Sequence, residues 1–180
     1  MSYPSFASGD VLTAVDMNAV GLWKVASGTL SLTTTPSNVT GVFSSDYKQY
    51  RLLLNVTNKS GSIRVDMKYI VGTTATSSAY YQAGIGSDYG ANATLYYQRS
   101  ANDSQLYGVQ SSALLSQSLD IYNPNKAALT MHHGTLVDAN TGFPYMVGGS
   151  QNSSTQFTGF QLFTSSGTAT VEYQVFGYQN

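Results

Sequence analysis

The sequence contains no cysteine. That removes disulfide frameworks, thiol nucleophiles and cysteine-based zinc sites together, and it fits folding in a reducing compartment. Charge is nearly as scarce. Asp, Glu, Lys and Arg make up 9% of the 180 residues, against about 25% in an average soluble protein. Lys and Arg total eight and stand singly, so no basic stripe is available to neutralise a phosphate backbone, and no nucleic-acid partner is expected. No run approaches the ~18 apolar residues of a membrane span, so no membrane insertion is expected either. The opening Met1-Ser2-Tyr3-Pro4-Ser5-Phe6 has neither the basic region nor the apolar run of a secretory signal. Without a secretory route, the acceptor patterns at Asn38, Asn55, Asn58, Asn92 and Asn152 read as chance products of a Ser/Thr/Asn-rich chain.

What fills the sequence is Ser, Thr, Asn, Gln, Gly and 14 Tyr. Disordered chains are poor in aromatics and usually carry high net charge. This chain has a formal net charge of -1 and abundant β-branched residues, so it is expected to fold, as one domain with a short appendage. Solubility would then rest on hydroxyls and amides rather than on charge.

The appendage is residues 1–23. Thr13 followed by Asp16 matches a capping box. Val15, Ala19 and Leu22 then fall at i, i+4 and i+7, which predicts a short helix with one narrow apolar stripe, limited by Gly21. From Val25 onward the period is two, and residues 24–180 are expected to form a β-sandwich domain. Every second residue is apolar at Tyr50, Leu52, Leu54 and Val56, with Gln49, Arg51 and Asn55 facing the other way, and after the turn Lys59-Ser60-Gly61 the residues Ile63, Val65, Met67 and Tyr69 alternate with Arg64, Asp66 and Lys68, which predicts a hairpin. The far end repeats the arrangement, Phe157 to Phe163 leading through Ser165-Ser166-Gly167 into Ala169, Val171, Tyr173 and Val175. Asn123-Pro124-Asn125 marks a further turn, and Gly72 to Gln98 reads as long loops around one or two short strands. These signals predict an all-β fold: an antiparallel sandwich of about eight to ten strands, a jelly roll by preference and an immunoglobulin-like sandwich as the alternative. Phe157 and Phe163 are expected on one face of their strand, with Phe160 and Leu162 on the other. An apolar outer face implies a subunit interface, and hence a homo-oligomer.

Phe6-Ala7-Ser8-Gly9-Asp10-Val11-Leu12-Thr13-Ala14-Val15-Asp16-Met17-Asn18 resembles an N-terminal segment of structural proteins of tailed bacteriophages: an aromatic residue, Gly-Asp/Glu-Val-Leu-Thr-Ala, two variable positions and Met-Asn. Phe43 to Arg51, Asp120 to Pro124 and the stretch from Thr158 to Tyr178 are similar, more loosely, to small jelly-roll modules of the same proteins. The resemblance implies a virion protein, by analogy a homotrimer, in a tail-fibre or tail-associated module for attachment and host recognition. A capsid-decorating or head-fibre protein is the alternative, and a glycan-active enzyme a distant one. It implies docking on other virion proteins through Phe6, Gly9, Asp10, Leu12, Thr13, Val15, Met17, Asn18, Leu22 and Trp23.

No cofactor and no catalytic residue is expected. The nine acids fall mostly at turns or on outward strand positions, no Gly-x-Ser-x-Gly elbow is present, and Gly84 to Gly90 lacks the Lys and the following helix of a phosphate loop. His132 and His133 are adjacent on a strand and point to opposite faces, so they cannot chelate one ion within a chain. Only one His from each subunit across an oligomer axis could assemble a metal site. Tyr80, Tyr81, Tyr89, Tyr96, Tyr97 and Tyr107 crowd a Gly-, Ser-, Asn- and Gln-rich region. That mixture suits a host-surface glycan or protein, because rings stack on apolar faces while amides satisfy hydroxyls, but it also suits packing at a subunit seam.

Overall fold

The computed structural model describes residues 21–87, 95–103, 105–106, 108, 114–139 and 144–178, with backbone alone for 87 and 95–102. Twelve strands are present among them: β1 (Leu22–Leu32), β2 (Ser37–Val39), β3 (Gln49–Lys59), β4 (Val65–Val71), β5 (Thr74–Ala75), β6 (Tyr80–Ser87), β7 (Leu95–Asp103), β8 (Leu115–Tyr122), β9 (Thr130–Asp138), β10 (Pro144–Gln151), β11 (Gly159–Thr164) and β12 (Ala169–Tyr178). No helix occurs among the described residues. The expected helical stripe lies outside them except at its end, where the structure corrects it. Leu22 and Trp23 belong to β1, so the sandwich begins two residues before the expected domain boundary at residue 24.

The pairing of first strands with last defines the topology. β1 pairs with β12, β2 with β11, β3 with β8 and β4 with β5, all antiparallel. A ribbon so doubled and then wrapped is a jelly roll, with sheets β1-β12-β3-β8 and β2-β11-β4-β5 facing each other. The immunoglobulin-like alternative lacks these pairings. Two further hairpins, β9–β10 and β6–β7, extend the first sheet beyond β8 to eight strands in the order β1-β12-β3-β8-β9-β10-β6-β7.

The alternation in the sequence explains which face is buried. Tyr50, Leu52, Leu54 and Val56 are buried on β3 while Gln49, Arg51, Leu53 and Asn55 face outward. They meet Met67 and Tyr69 of β4 and Phe160 and Leu162 of β11 in one core. Each such side chain stabilises by about 1.5–3 kcal/mol relative to exposure. Aromatic rings fill one end: Phe43 lies edge-on to Tyr50 at 4.9 Å, and Tyr69 stacks on Phe157 at 5.1 Å. The Tyr50 hydroxyl accepts from the Ser44 amide at 2.7 Å and donates to the Ser44 carbonyl at 3.0 Å, so it is buried without loss of its hydrogen bonds. The predicted turns fall where backbone φ is positive, at Gly61 (135°), Asn123 (57°) and Gly167 (60°), a region open mainly to glycine and, less readily, asparagine. The turns at Gly61 and Gly167 do not close the hairpins that the flanking alternation predicts: each carries the chain from one sheet to the other, β3 to β4 and β11 to β12.

Two expectations need correction. Residues 72–98 hold β5, all of β6 and the start of β7 rather than mostly loops. Their period was unreadable because the inward positions of β6 after Tyr80 are Gln82, Gly84 and Gly86, none of them a large apolar residue. Phe157 also does not share an outer face with Phe163. It precedes β11 and is fully buried, its amide donating to the Pro124 carbonyl at 2.7 Å. The outer apolar seam expected at β11 reduces to Phe163, half-buried, with the Lys68 ammonium 5.6 Å from its ring centre.

Candidate functional site

The extended sheet leaves a broad outer face, and strand register sorts its side chains into transverse rows. Gln49, Tyr122, Met131, Ser150 and Tyr81 form one. Phe176, Arg51, Asp120, His133, Gly148 and Ala83 form the next, and Gln174, Leu53, Ser118, Thr135, Met146 and Ile85 the third. Glu172, Asn55, Ser116, Val137 and Pro144 complete the set.

The half of this face on β12, β3 and β8 is polar and ordered. Arg51 grips Asp120 with two parallel bonds, Nε to Oδ1 at 2.9 Å and one terminal nitrogen to Oδ2 at 2.8 Å. The Tyr178 hydroxyl donates to Asp120 Oδ1 at 3.0 Å, and the Arg51 guanidinium sits 5.7 Å from the Tyr178 ring centre. The Arg51 hydrogen bond holds the Asp120 carboxyl below its usual range, against the opposing effect of burial. Beside this pair the sheet dips into a shallow groove of about 340 Å³ lined by Leu53, Asn55, Ser116, Ser118, Thr135, Val137, Glu172 and Gln174, among others. Hydroxyls, amides and one carboxylate over an apolar floor can hydrogen-bond a polyhydroxylated ligand while packing against its carbon face.

The half on β9, β10 and β6 differs in chemistry. Its outward residues include Met146 (64% exposed), Met131 (48%), Val137 (47%), Ile85 (41%) and Tyr81 (37%). No Asp, Glu, Lys or Arg occupies an outward position on these three strands. Isolated exposed apolar residues are ordinary, but a contiguous group on a flat sheet marks an interaction surface.

Of the tyrosines singled out for receptor binding, only Tyr81 is described and exposed. Tyr80 is corrected to a core residue: it is fully buried, its hydroxyl accepting from the Tyr69 amide at 2.8 Å and donating to the Thr76 carbonyl at 3.2 Å. Tyr96 and Tyr97 lie on β7 with backbone alone described, while Tyr89 and Tyr107 lie outside the described residues, as do Phe6, Gly9, Asp10, Leu12, Thr13, Val15, Met17 and Asn18. Leu22 is exposed at the start of β1, and Trp23 is half-buried beside it.

The two histidines do face opposite ways. His133 is exposed and packs 5.5 Å from Tyr122. His132 is sealed in the core at 4% exposure, neither ring nitrogen having a hydrogen-bond partner, beside a cavity of about 20 Å³. Burial, helped by neighbouring His133, lowers its pKa to about 4, so the ring is neutral near pH 7. Only His133 is accessible to another subunit, and no cluster of three metal-ligating side chains exists among the described residues.

The sequence reading missed Asp66. It was expected outward, yet it is 1% exposed, with Gln105 and Gly108 bonded to its carboxylate. Its carboxylate accepts from Arg64, from the Gln105 amide nitrogen at 2.8 Å and from the Gly108 backbone at 3.0 Å, which ties that segment to β4. No local signal marks it, since the partners on the covering segment lie about 40 positions away in the chain. The chain matches no family model, no curated protein and no solved structure.

Proposed function

We propose that the chain is an oligomeric structural module of a tailed-bacteriophage virion, attached to the tail and presenting its large sheet to the host surface. The observation that carries this reading is the sheet's outer face: broad, open and nearly uncharged, with an ordered Arg51–Asp120–Tyr178 cluster beside a hydroxyl- and amide-lined groove. Such a surface fits recognition of a surface glycan better than bond-breaking chemistry, which needs reactive groups brought together in an enclosed site. The resemblance of Phe6 to Asn18 to phage structural proteins supports the virion setting and assigns that segment the docking role.

Quantitative mass spectrometry of purified particles tests the placement. A few copies per particle are expected for a tail module. A copy number that follows the capsid lattice would move the chain to the decoration role, and absence from particles would end the virion reading. Deletion of residues 1–20, which stops short of β1, is expected to leave a folded protein that no longer joins particles.

A further inference from the structure

We infer that the free edge of β1 pairs with β1 of a second copy, antiparallel about a two-fold axis through Thr29, so that the large sheet runs on into its partner's. The inference deepens the assembly reading above and rests on its assumption that the chain is oligomeric. β1 ends the eight-stranded sheet, and among the described residues its outer edge bonds to no other backbone. A row of unpaired N–H and C=O groups is a template for a further strand. Soluble proteins blunt such edges by keeping them short, charged, bulged or interrupted by proline. The small sheet is blunted by length, its edge strands β2 and β5 having three and two residues. The far edge of the large sheet, β7, carries Arg99 and Asp103. β1 has 11 residues, and its one charge, Lys24, and its bulge at Val25 both lie near its start. The run from Ala26 to Leu32 contains no charge, no proline and no bulge.

The occupant is a second β1 because this run complements itself. An axis through Thr29 sets the whole stretch from Ala26 to Leu32 against its copy, whereas any other centre shortens the clean pairing or draws in the bulge. Paired residues then have the same parity, so core side continues core side and solvent side continues solvent side. On the core side Leu30 meets the partner's Gly28 and Leu32 meets the partner's Ala26, large against small in an isologous contact. Leu30 and Ala26 are only half-buried in the single chain, where the facing edge strand β2 is three residues long, and the partner strand covers them. On the solvent side Ser27 meets the partner's Ser31 and Thr29 meets its own copy, hydroxyl pairs of a kind that bond across strands. Lys24 lies beyond the paired run at either end, so the two ammonium groups stay apart. Glu172, opposite Thr29 on β12, and the partner's Glu172 stand three strand spacings apart, about 14 Å and beyond the ~8 Å screening length at physiological salt. The pairing extends the sheet in its own plane. β1 separates the partner from β12, the nearest strand of the groove, so the groove and the Asp120 cluster stay open.

One strand pair stands at the small end of specific interfaces, under about 1,200 Å² in total, so a dimer in the micromolar range is expected. Native mass spectrometry and light scattering of the full chain across a dilution series read it. Two double variants test the register. Ser27→Lys with Ser31→Lys sets lysine against lysine at both ends of the pair, and Ser27→Glu with Ser31→Lys sets glutamate against lysine there. Both positions are exposed in the single chain, and circular dichroism and melting midpoint confirm the fold. Their Kd values are expected to differ by roughly tenfold or more, the first the weaker, since two cross-strand pairs turn from attraction to repulsion. The absence of native cysteine permits a second readout. Thr29→Cys brings its thiol to its own copy with Cα atoms about 5 Å apart, within disulfide reach, and is expected to oxidise to a covalent dimer. Ser27→Cys, about 14 Å from its copy across the axis, is expected to stay unlinked. A monomeric wild type at every concentration overturns the inference, whether the edge stays bare or the chain's own residues 1–20 fill it. Equal Kd values for the two double variants overturn it, and so does a Thr29→Cys chain that links no faster than Ser27→Cys. Assembly is read on the isolated chain and the virion role on particles, so either conclusion can fail alone.

Discussion

Replacing His132 with leucine should stabilise the protein, and more strongly as pH falls. The ring is 4% exposed, both nitrogens lack partners, and its pKa drops from 6.5 to about 4 on folding. A histidine depressed in this way leaves stability fully present above pH 6.5, where both folded and unfolded states are neutral. As pH falls below 6.5 the unfolded chain takes up the proton and the folded chain does not, so stability declines until the folded pKa near 4 is passed. The shift of two to three units corresponds to about 3 kcal/mol lost between pH 7 and pH 4. Leucine removes this titration. It also removes unpartnered nitrogens whose burial costs about 1–3 kcal/mol at any pH, and the adjoining cavity of about 20 Å³ gives its branched end room. Urea unfolding of both proteins, followed by fluorescence from pH 7 to pH 4 at one fixed protein concentration, gives the difference directly. Holding concentration constant matters because any self-association would itself add apparent stability. Other carboxylates titrate in the same window but contribute equally to both proteins. If the two stability curves run parallel over this range, the ring is not held neutral by burial, and the argument fails.

Three further outcomes follow from the same structure. Arg64→Met should cost about 3 kcal/mol in urea unfolding, because it leaves the Asp66 carboxylate buried without its ionic partner; a loss below about 1 kcal/mol would show that Gln105 and Gly108 suffice to hold it. Tyr80→Phe should cost about 1 kcal/mol, seen as a fall in Tm of about 2–4 °C, since the Tyr69 amide loses its acceptor; Tyr81→Phe should leave Tm unchanged. Gly134→Ala should unfold or severely destabilise the chain, because the Cβ would strike the Ser118 carbonyl, whereas Gly148→Ala should melt like the wild type; equal melting of the two would contradict the packing at β9.

The alternation on β3 and β12 was readable because one face of each strand meets the core and the other meets water. Tyr50, Leu52, Leu54 and Val56 therefore announce their strand, and Gly61 and Gly167 announce the turns that end β3 and β11, although both turns cross between the two sheets and close no hairpin. The same rule fails on β6, where Gln82, Gly84 and Gly86 face inward, and on β11, an inner strand buried on most of its length. For the candidate site, the sequence singled out Tyr81 and both histidines. It did not identify the Arg51–Asp120–Tyr178 cluster, because residues separated by 69 and 58 positions meet only through strand order.

By itself, then, the sequence determined an all-β chain, its main turns, the opposite facing of His132 and His133, and the exclusion of cysteine chemistry. These depend on residue type and on a period of two, both of which are local. The tertiary structure alone decided the pairing of first strands with last, the hairpins that widen one sheet to eight strands, and the sealing of Tyr80, Asp66 and His132 from solvent. It also decided that uncharged residues from β9, β10 and β6 form one continuous face. Register between strands depends on which segments meet across the whole chain, and no window of neighbouring residues contains that information.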